Sequence, residues 1–151
     1  MRNDSLCLVI ALATHLGLDT DQLDIKSVFW NGKLVEEICV VPPPSIILDG
    51  TILRLDKVLY SLEQAPLAWF EKVFQALAEI GFISLPFDPY VFLNTDLKII
   101  VVVYVDAITT AASLSDIDWL IDYVHSLFHS TGTGYLKYIL GIEINYTSEG
   151  M

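Results

Sequence analysis

Two aspartates occupy positions that ordinary packing does not explain well. Asp24 interrupts the apolar pattern of Leu23 and Ile25, and Asp106 directly follows the seven apolar residues 99–105. Burying an unpaired carboxylate is strongly unfavourable. A shared divalent cation would offset this cost at both positions, because Mg²⁺ prefers oxygen ligands. Spacing alone leaves a plainer alternative, in which each aspartate lies at a strand end and reaches water.

Three segments have the apolar spacing of amphipathic helices. The first lies near the N-terminus, the second runs from Pro66 to Gly81, and the third spans 115–128 with Ser115 as its N-cap. Pro in a first turn and Gly after a last turn are typical of helix boundaries. The first segment also resembles the apolar part of a secretory signal, so a cleaved signal peptide is the alternative to a core helix.

Short apolar runs between turn residues predict the strands. Asp19 to Asp21 is predicted to be a polar turn and 131–134 a loop. The order of helices and strands predicts an α+β fold, in which an antiparallel sheet carries its helices on one face within a single domain over 1–151. The predicted strands are 23–25, 38–41, 52–55, 90–93, 99–105 and 136–146.

Composition and charge limit the classes of function. The net charge is −11, which opposes binding to phosphate backbones. Hydrophobic residues make up 54% of the chain, and the mean hydropathy is +0.55. This balance argues against disorder and predicts apolar surface that a partner covers. No apolar run approaches the roughly 20 residues of a membrane span.

The two cysteines do not indicate a metal site. Cys7 and Cys39 lack the spacing of zinc ligands. Both are therefore predicted to be buried thiols in a reducing compartment.

Five ordered blocks resemble the reverse transcriptase of copia-type LTR retrotransposons. In this chain they read LDIKSVFWNG, LYSLEQAPLAWFEKV, FDPYVFL, VVYVDA and GYLKYILGIEI. The corresponding family blocks resemble LDVKTAFLNG, LYGLKQAPRAWYEKL, ADPSLFV, LVYVDD and GELKYFLGIEI. Because the blocks keep their order over nearly the whole chain, the resemblance is far more specific than any one motif.

The resemblance implies the palm of a right-hand polymerase, in which aspartates on neighbouring strands hold two Mg²⁺ ions. Asp24 and Asp106 match the family's catalytic, metal-binding aspartates. Phe29 matches the aromatic steric gate against a 2′-hydroxyl, and Gln64 matches a nucleotide-contacting glutamine. The resemblance also implies that the peptide unit of Ile25 lies beside the triphosphate.

The chain departs from the family pattern at charged positions. Ala107 replaces the second aspartate of the YVDD motif, and a methyl group cannot coordinate Mg²⁺. Asp56, Glu63 and Leu67 replace two lysines and an arginine near the nucleotide and template. These changes predict weak or absent Mg²⁺ binding, weak nucleic-acid binding and impaired catalysis.

The preferred functional hypothesis is a degenerate or host-adopted palm fragment that acts as an intracellular interaction module, in the cytoplasm or nucleus. Fingers, thumb and RNase H regions are expected to be absent from it. The competing hypothesis is a weakly active or split reverse transcriptase that uses two-metal nucleotidyl transfer with other chains. A third hypothesis is a small secreted protein that reuses the fold.

The apolar composition also predicts a partner, which is either a second copy in a homodimer or a host protein. The expected contact surface combines the first helix with the closing strand. Its predicted residues are Leu8, Leu12, Leu16, Ile139, Ile142 and Ile144.

Overall fold

The computed structural model describes residues 1–26, 37–42, 52–56 and 65–147. The chain divides into two compact units, one formed by Met1–Lys26 with Phe74–Met151 and the other by Ser27–Val73. A compact unit is not by itself a domain that folds alone. The single-domain expectation therefore stays a prediction.

The described residues form three helices and ten strands. Among them, no helix is long and apolar enough to cross a membrane. In chain order the elements are α1 (Asn3–Leu16), β1 (Asp19–Ile25), β2 (Cys39–Val40), β3 (Leu53–Arg54), α2 (Ala65–Glu79), β4 (Ile83–Leu85), β5 (Asp88–Asn94), β6 (Ile99–Tyr104), β7 (Ala107–Ala112), α3 (Leu114–Leu127), β8 (Ser130–Tyr135), β9 (Tyr138–Ile139) and β10 (Ile142–Glu143).

The first unit is built on a six-stranded sheet in the order β4-β5-β6-β7-β1-β8. Every neighbouring pair in this sheet is antiparallel, so the α+β prediction is confirmed. The three predicted helices form at nearly the expected positions. Strand β1 lies between β7 and β8, which places Asp24 inside the sheet.

Helices cover both faces of the sheet, so the prediction that they share one face is wrong. On one face, Val9 of α1 packs with Val102 and Ala111. On the opposite face, Phe74 of α2 lies with its ring centroid 6.0 Å from that of Phe92. The Tyr123 hydroxyl of α3 donates to the α2 carbonyl of Ala76, which places α3 beside α2.

The continuous apolar run of β6 gives the physical reason for this arrangement. Successive side chains of a strand point to opposite faces. All five residues from Ile99 to Val103 are buried. An unbroken run of buried residues therefore requires cover on both faces, which a single helical layer does not provide.

A carboxylate from β5 anchors the start of α1. The side chain of the N-cap residue Arg2 makes no capping hydrogen bond, but its backbone N–H donates to the Asp88 carboxylate at 2.7 Å. The Tyr90 N–H donates to the same carboxylate at 3.2 Å. Buried Leu6 and Ala13 attach the inner side of α1 to the core. Cleavage of this segment as a signal peptide stays an untested alternative.

Asn94 connects the end of α2 to the β5–β6 turn. Its side-chain amide donates to the Ile80 carbonyl at 3.1 Å. Its side-chain oxygen accepts from the N–H groups of Asp96 and Leu97 at 3.2 and 3.0 Å. Because Asn94 is only 5% exposed, water cannot readily replace these three bonds.

Several strand boundaries differ from the sequence prediction. Strand β1 begins at Asp19, where a turn was expected, and β8 occupies the expected loop 131–134. Strands β4 and β7 were not predicted, because β7 is small and Thr-rich and β4 has three residues. Pro89 lies within β5 rather than before it. The closing segment 136–146 contains only the short β9–β10 pair.

Capping and cysteine burial also differ from expectation. The N-cap of α3 is Ser113, whose hydroxyl accepts from the Asp116 N–H at 3.4 Å, and not Ser115. Both Cys7 and Cys39 are exposed free thiols, so their predicted burial is wrong. Cys7 is exposed because it lies on the outer side of α1, away from Leu6 and Val9.

In the second unit, β2 pairs with β3 through Cys39 with Arg54 and Val40 with Leu53. The Leu55 N–H extends this pair by donating to the Ile38 carbonyl at 2.8 Å.

Candidate functional site

The β6–β7 hairpin holds Asp106 in a two-residue turn. Tyr104 and Ala107 are the last paired residues, so Val105 and Asp106 form the turn between them. Val105 has φ 53°, a left-handed conformation that costs a β-branched residue about 1–3 kcal/mol. Hairpin turns of two residues favour positive φ because it matches strand twist. The flanking strands therefore hold Asp106 at a defined position at the end of β6 and β7.

Strand pairing brings Asp24 to this turn. In the register of β1 and β7, Asp24 lies opposite Ala107. One residue further, the Ile25 N–H donates to the Asp106 carbonyl at 2.8 Å. The backbones of the two predicted catalytic aspartates are thus neighbours on adjacent segments. Whether their carboxylates approach closely enough to share an ion stays a prediction.

Ala107 and not Asp106 is the direct cross-strand neighbour of Asp24. Residues opposite each other in an antiparallel pair project to the same face. The Ala107 methyl group therefore shares a face with the Asp24 carboxylate. Asp106 is exposed in the turn. The position at which the family has its second aspartate is the one that would place a further carboxylate beside Asp24.

A cation from the chain itself pairs with Asp24. The Lys26 ammonium, one residue beyond the end of β1, donates to the Asp24 carboxylate. The Asp24 side chain is 32% exposed and the Lys26 side chain 49% exposed, so solvent screens this pair. Lys26 was not among the predicted site residues, and it follows Ile25, the last residue of β1.

The residues that the structure describes around Asp24 do not fit a two-metal centre. Within the described part of the chain, no group of three or more His, Cys, Asp or Glu side chains is positioned to hold a metal ion. Ala107 contributes no ligand, and Asp24 already has an ammonium partner. Two bound Mg²⁺ ions need more oxygen ligands than these aspartates supply.

The predicted nucleotide-binding residues fall into two groups. Ile25 is 2% exposed, and its N–H is already bonded to Asp106, so that amide hydrogen is not available to a triphosphate in this conformation. Phe29 and Gln64 lie outside the described residues, as does Glu63. Their predicted roles stay predictions.

A second carboxylate with an altered environment lies on the opposite face of the sheet. Burial raises the pKa of Asp21, and the negative charge of Asp118 raises it further, while the Gln22 N–H lowers it. Asp21 lies three residues from Asp24 on β1 and so projects to the other face. It is therefore not part of the site around Asp24.

The antiparallel sheet and the aspartate-bearing hairpin agree with the class of protein that the sequence blocks indicate. A family model described as reverse transcriptase (RNA-dependent DNA polymerase) matches residues 1–151. The chain therefore belongs to the reverse transcriptase family.

Relatives from transposons support the copia-type assignment. The Retrovirus-related Pol polyprotein from transposon RE1 of Arabidopsis thaliana is 29% identical over 100% of this chain and 11% of that polyprotein. The Retrovirus-related Pol polyprotein from transposon TNT 1-94 of Nicotiana tabacum is 32% identical over 68% of this chain and 8% of that polyprotein. The chain thus spans about a tenth of the length of these curated relatives.

Proposed function

We propose that this chain is a palm-like segment of a copia-type reverse transcriptase whose two-metal catalysis is impaired, and that it acts inside the cell as an interaction module. The observation that carries the proposal is the pairing of Asp24 with Ala107 across β1 and β7. A degenerate element and a host-adopted gene would both contain this arrangement.

The chemistry of nucleotidyl transfer supports this proposal. Two metal ions would activate the attacking hydroxyl and stabilise the leaving group. Here Asp24 is paired with Lys26, and Ala107 lacks any donor atom. Displacing the Lys26 ammonium adds a further cost to binding even one ion. Any Mg²⁺ held by Asp24 and Asp106 is therefore expected to bind weakly.

Restoring the missing carboxylate tests the proposal. We expect Ala107→Asp to raise the affinity for Mn²⁺ by about tenfold, because the new carboxylate shares a face with Asp24. Electron paramagnetic resonance of free Mn²⁺ measures this change. Ala78→Asp adds the same charge on an exposed part of α2 and should leave the affinity nearly unchanged. Combining Ala107→Asp with Asp24→Asn should remove the gain.

Primer extension tests the catalytic part of the proposal. The natural chain should extend a primer no faster than the Asp24→Asn variant, with either Mg²⁺ or Mn²⁺ present. Extension by the natural chain that disappears in Asp24→Asn would contradict impaired catalysis.

A split enzyme is the second candidate function. It is favoured by the retained hairpin turn and by the backbone contact between Ile25 and Asp106. Under this alternative, the chain would gain Asp24-dependent extension when mixed with the remaining segments of a copia-type reverse transcriptase. No gain above those segments alone supports the interaction module.

Nucleic-acid affinity separates these candidates further. With a net charge of −11 and with exposed Asp56 and Leu67 at positions that are basic in the family, we expect a dissociation constant of about 10⁻⁴ M or weaker at physiological salt. Fluorescence anisotropy with a labelled primer-template measures it. The double variant Asp56→Lys with Leu67→Arg should bind more tightly, with a steeper salt dependence. Tight, salt-sensitive binding by the natural chain would favour the split enzyme.

A further inference from the structure

The contact surface expected from the sequence is only partly exposed. Leu8, Leu12 and Leu16 are exposed on the outer side of α1. Ile139 and Ile144 are instead buried in one apolar cluster, so the prediction that they extend this surface is wrong. A homodimer through the outer side of α1 stays a prediction.

A second exposed surface lies on α3 and is centred on a pair of aromatic rings. The rings of Trp119 and Tyr123 stack with their centroids 6.4 Å apart and an angle of 15° between their planes. The Tyr123 hydroxyl donates to the Ala76 carbonyl of α2 at 2.9 Å, while Trp119 is 42% exposed. Because Tyr123 is fixed at its ring and at its hydroxyl, the indole is held in place before any ligand binds.

Exposed carboxylates border this aromatic pair. Asp122 is three residues from Trp119 and four from Asp118, so it neighbours both on the helix surface. The side chains of Asp118 and Asp122 are exposed. On the α2 side, burial raises the pKa of Tyr123 and the negative charge of Glu79 raises it further, which places a third carboxylate near the pair. The exposed indole therefore lies in a negatively charged surface.

No ion pair within the described part of the chain neutralises these carboxylates. Helix α3 contains no lysine or arginine. The ion pairs of the described residues do not include Asp118, Asp122 or Glu79. Like charges four residues apart destabilise a helix, so Asp118 and Asp122 repel each other when no ligand is bound. A cation bound beside both would remove this repulsion.

We propose that Trp119, Asp118 and Asp122 bind an arginine side chain from a basic segment of a protein partner. The guanidinium is planar, so it can stack on the indole while its N–H groups donate to a neighbouring carboxylate. Charge complementarity supports a basic protein as the partner, because both this surface and the whole chain, with its net charge of −11, are negative. The same charge opposes binding of nucleic acid and of anionic lipid surfaces.

This proposal rests on the interaction module proposed above and adds the chemistry of its partner. The surface on α3 does not include Asp24 or Ala107, so loss of arginine binding would leave the impaired catalysis standing. Primer extension that depends on Asp24 would contradict the impaired catalysis without changing arginine binding by α3.

The first test uses a defined peptide in which arginine alternates with glycine, labelled with fluorescein. Fluorescence anisotropy at low salt should show saturable binding to the natural chain, and added salt should weaken it. A matched lysine peptide should bind about threefold more weakly or worse, because an ammonium lacks the planar fork. A matched glutamate peptide should not bind. Absence of saturable binding, or equal affinity of the arginine and lysine peptides, would overturn the proposal.

The second test changes the indole. Trp119→Leu keeps an apolar side chain but removes the aromatic face, so it should weaken binding of the arginine peptide by about tenfold. Tyr138→Leu makes the corresponding change at a 62% exposed aromatic residue of β9 and should leave binding unchanged. Equal loss in the two variants, or no loss in Trp119→Leu, would overturn the assignment of Trp119.

The third test separates this surface from the general negative charge of the chain. The double variant Asp118→Asn with Asp122→Asn should weaken binding of the arginine peptide by about tenfold or more. The control Asp96→Asn with Glu143→Gln removes two charges from exposed positions outside α3 and should keep most of the affinity. Circular dichroism should show the same helix content in both double variants. Equal loss of affinity in both would show that net charge alone attracts the peptide and would overturn the proposal.

Discussion

Replacing Asp88 with alanine is expected to lower the free energy of unfolding by about 3 kcal/mol at neutral pH. Asp88 is 2% exposed, and its carboxylate accepts the backbone N–H groups of Arg2 and Tyr90. Arg2 is the N-cap residue of α1, so the variant leaves the start of that helix without its partner from β5. The N–H group of Tyr90 also loses its carboxylate partner.

The pH dependence of this loss follows from the pKa of Asp88. Burial alone would raise that pKa, but hydrogen bonds from Arg2, Ser5 and Tyr90 outweigh burial and hold it below the usual value. A lowered pKa in the folded state stabilises the protein above the unfolded pKa of about 4. The stabilisation by Asp88 is lost as the pH falls through its pKa in the folded state. The difference in the free energy of unfolding between the natural chain and Asp88→Ala should therefore become smaller in acid.

Urea unfolding followed by circular dichroism at pH 7 and near pH 3 measures both effects. The matched control is Asp4→Ala, because the Asp4 side chain is 91% exposed in the first turn of the same helix. It should change the free energy of unfolding by less than about 1 kcal/mol. An equal, pH-independent loss in both variants would show that Asp88 does not anchor α1.

Replacing Asn94 with alanine should cost about 2–4 kcal/mol, because it removes three hydrogen bonds at a buried position. The Ile80 carbonyl and the N–H groups of Asp96 and Leu97 would lose their side-chain partner. These bonds connect the end of α2 with the turn before β6. The variant should therefore weaken the packing of α2 as well as the hairpin.

Thermal and urea unfolding measure the loss in Asn94→Ala. Asp96→Ala is the control, since Asp96 is exposed and contributes its backbone N–H rather than its side chain. That control should change stability by no more than about 0.5 kcal/mol. A comparable loss in the two variants would mean that the turn's own conformation, and not the Asn94 side chain, stabilises this region.

Sequence reasoning predicted those elements whose apolar periodicity was strong. Helices α1 and α2 and strand β6 follow it, and Asp106 lies at the strand end as expected. Strand β8 was missed because its Ser, Thr and Gly residues lack apolar alternation. Its pairing with β1, and not the strand propensity of its own residues, stabilises it. The placement of α1 on the opposite face from α2 depends on long-range packing that local patterns do not encode.

The sequence predicted which residues form the candidate site, but not which of them are neighbours across the strands. Family blocks located Asp24, Asp106 and the substitution at Ala107. The register that places Ala107, and not Asp106, opposite Asp24 depends on the strand β7 that the pattern did not reveal.

The strand that carries Asp24 has two unequal neighbours, because β8 is an edge strand of the sheet and β7 is a central one. Among the strands that the structure describes, β7 lies between β6 and β1, whereas β8 pairs with β1 alone and carries Gly132 and Gly134. Such glycine-bearing edges open locally at low free energy, so amide hydrogens there exchange with solvent early. Thr131 and Ser130 of β8 lie opposite Asp24 and Ile25. Local opening of β8 would therefore expose one side of β1 to solvent, while the other side stays paired with β7.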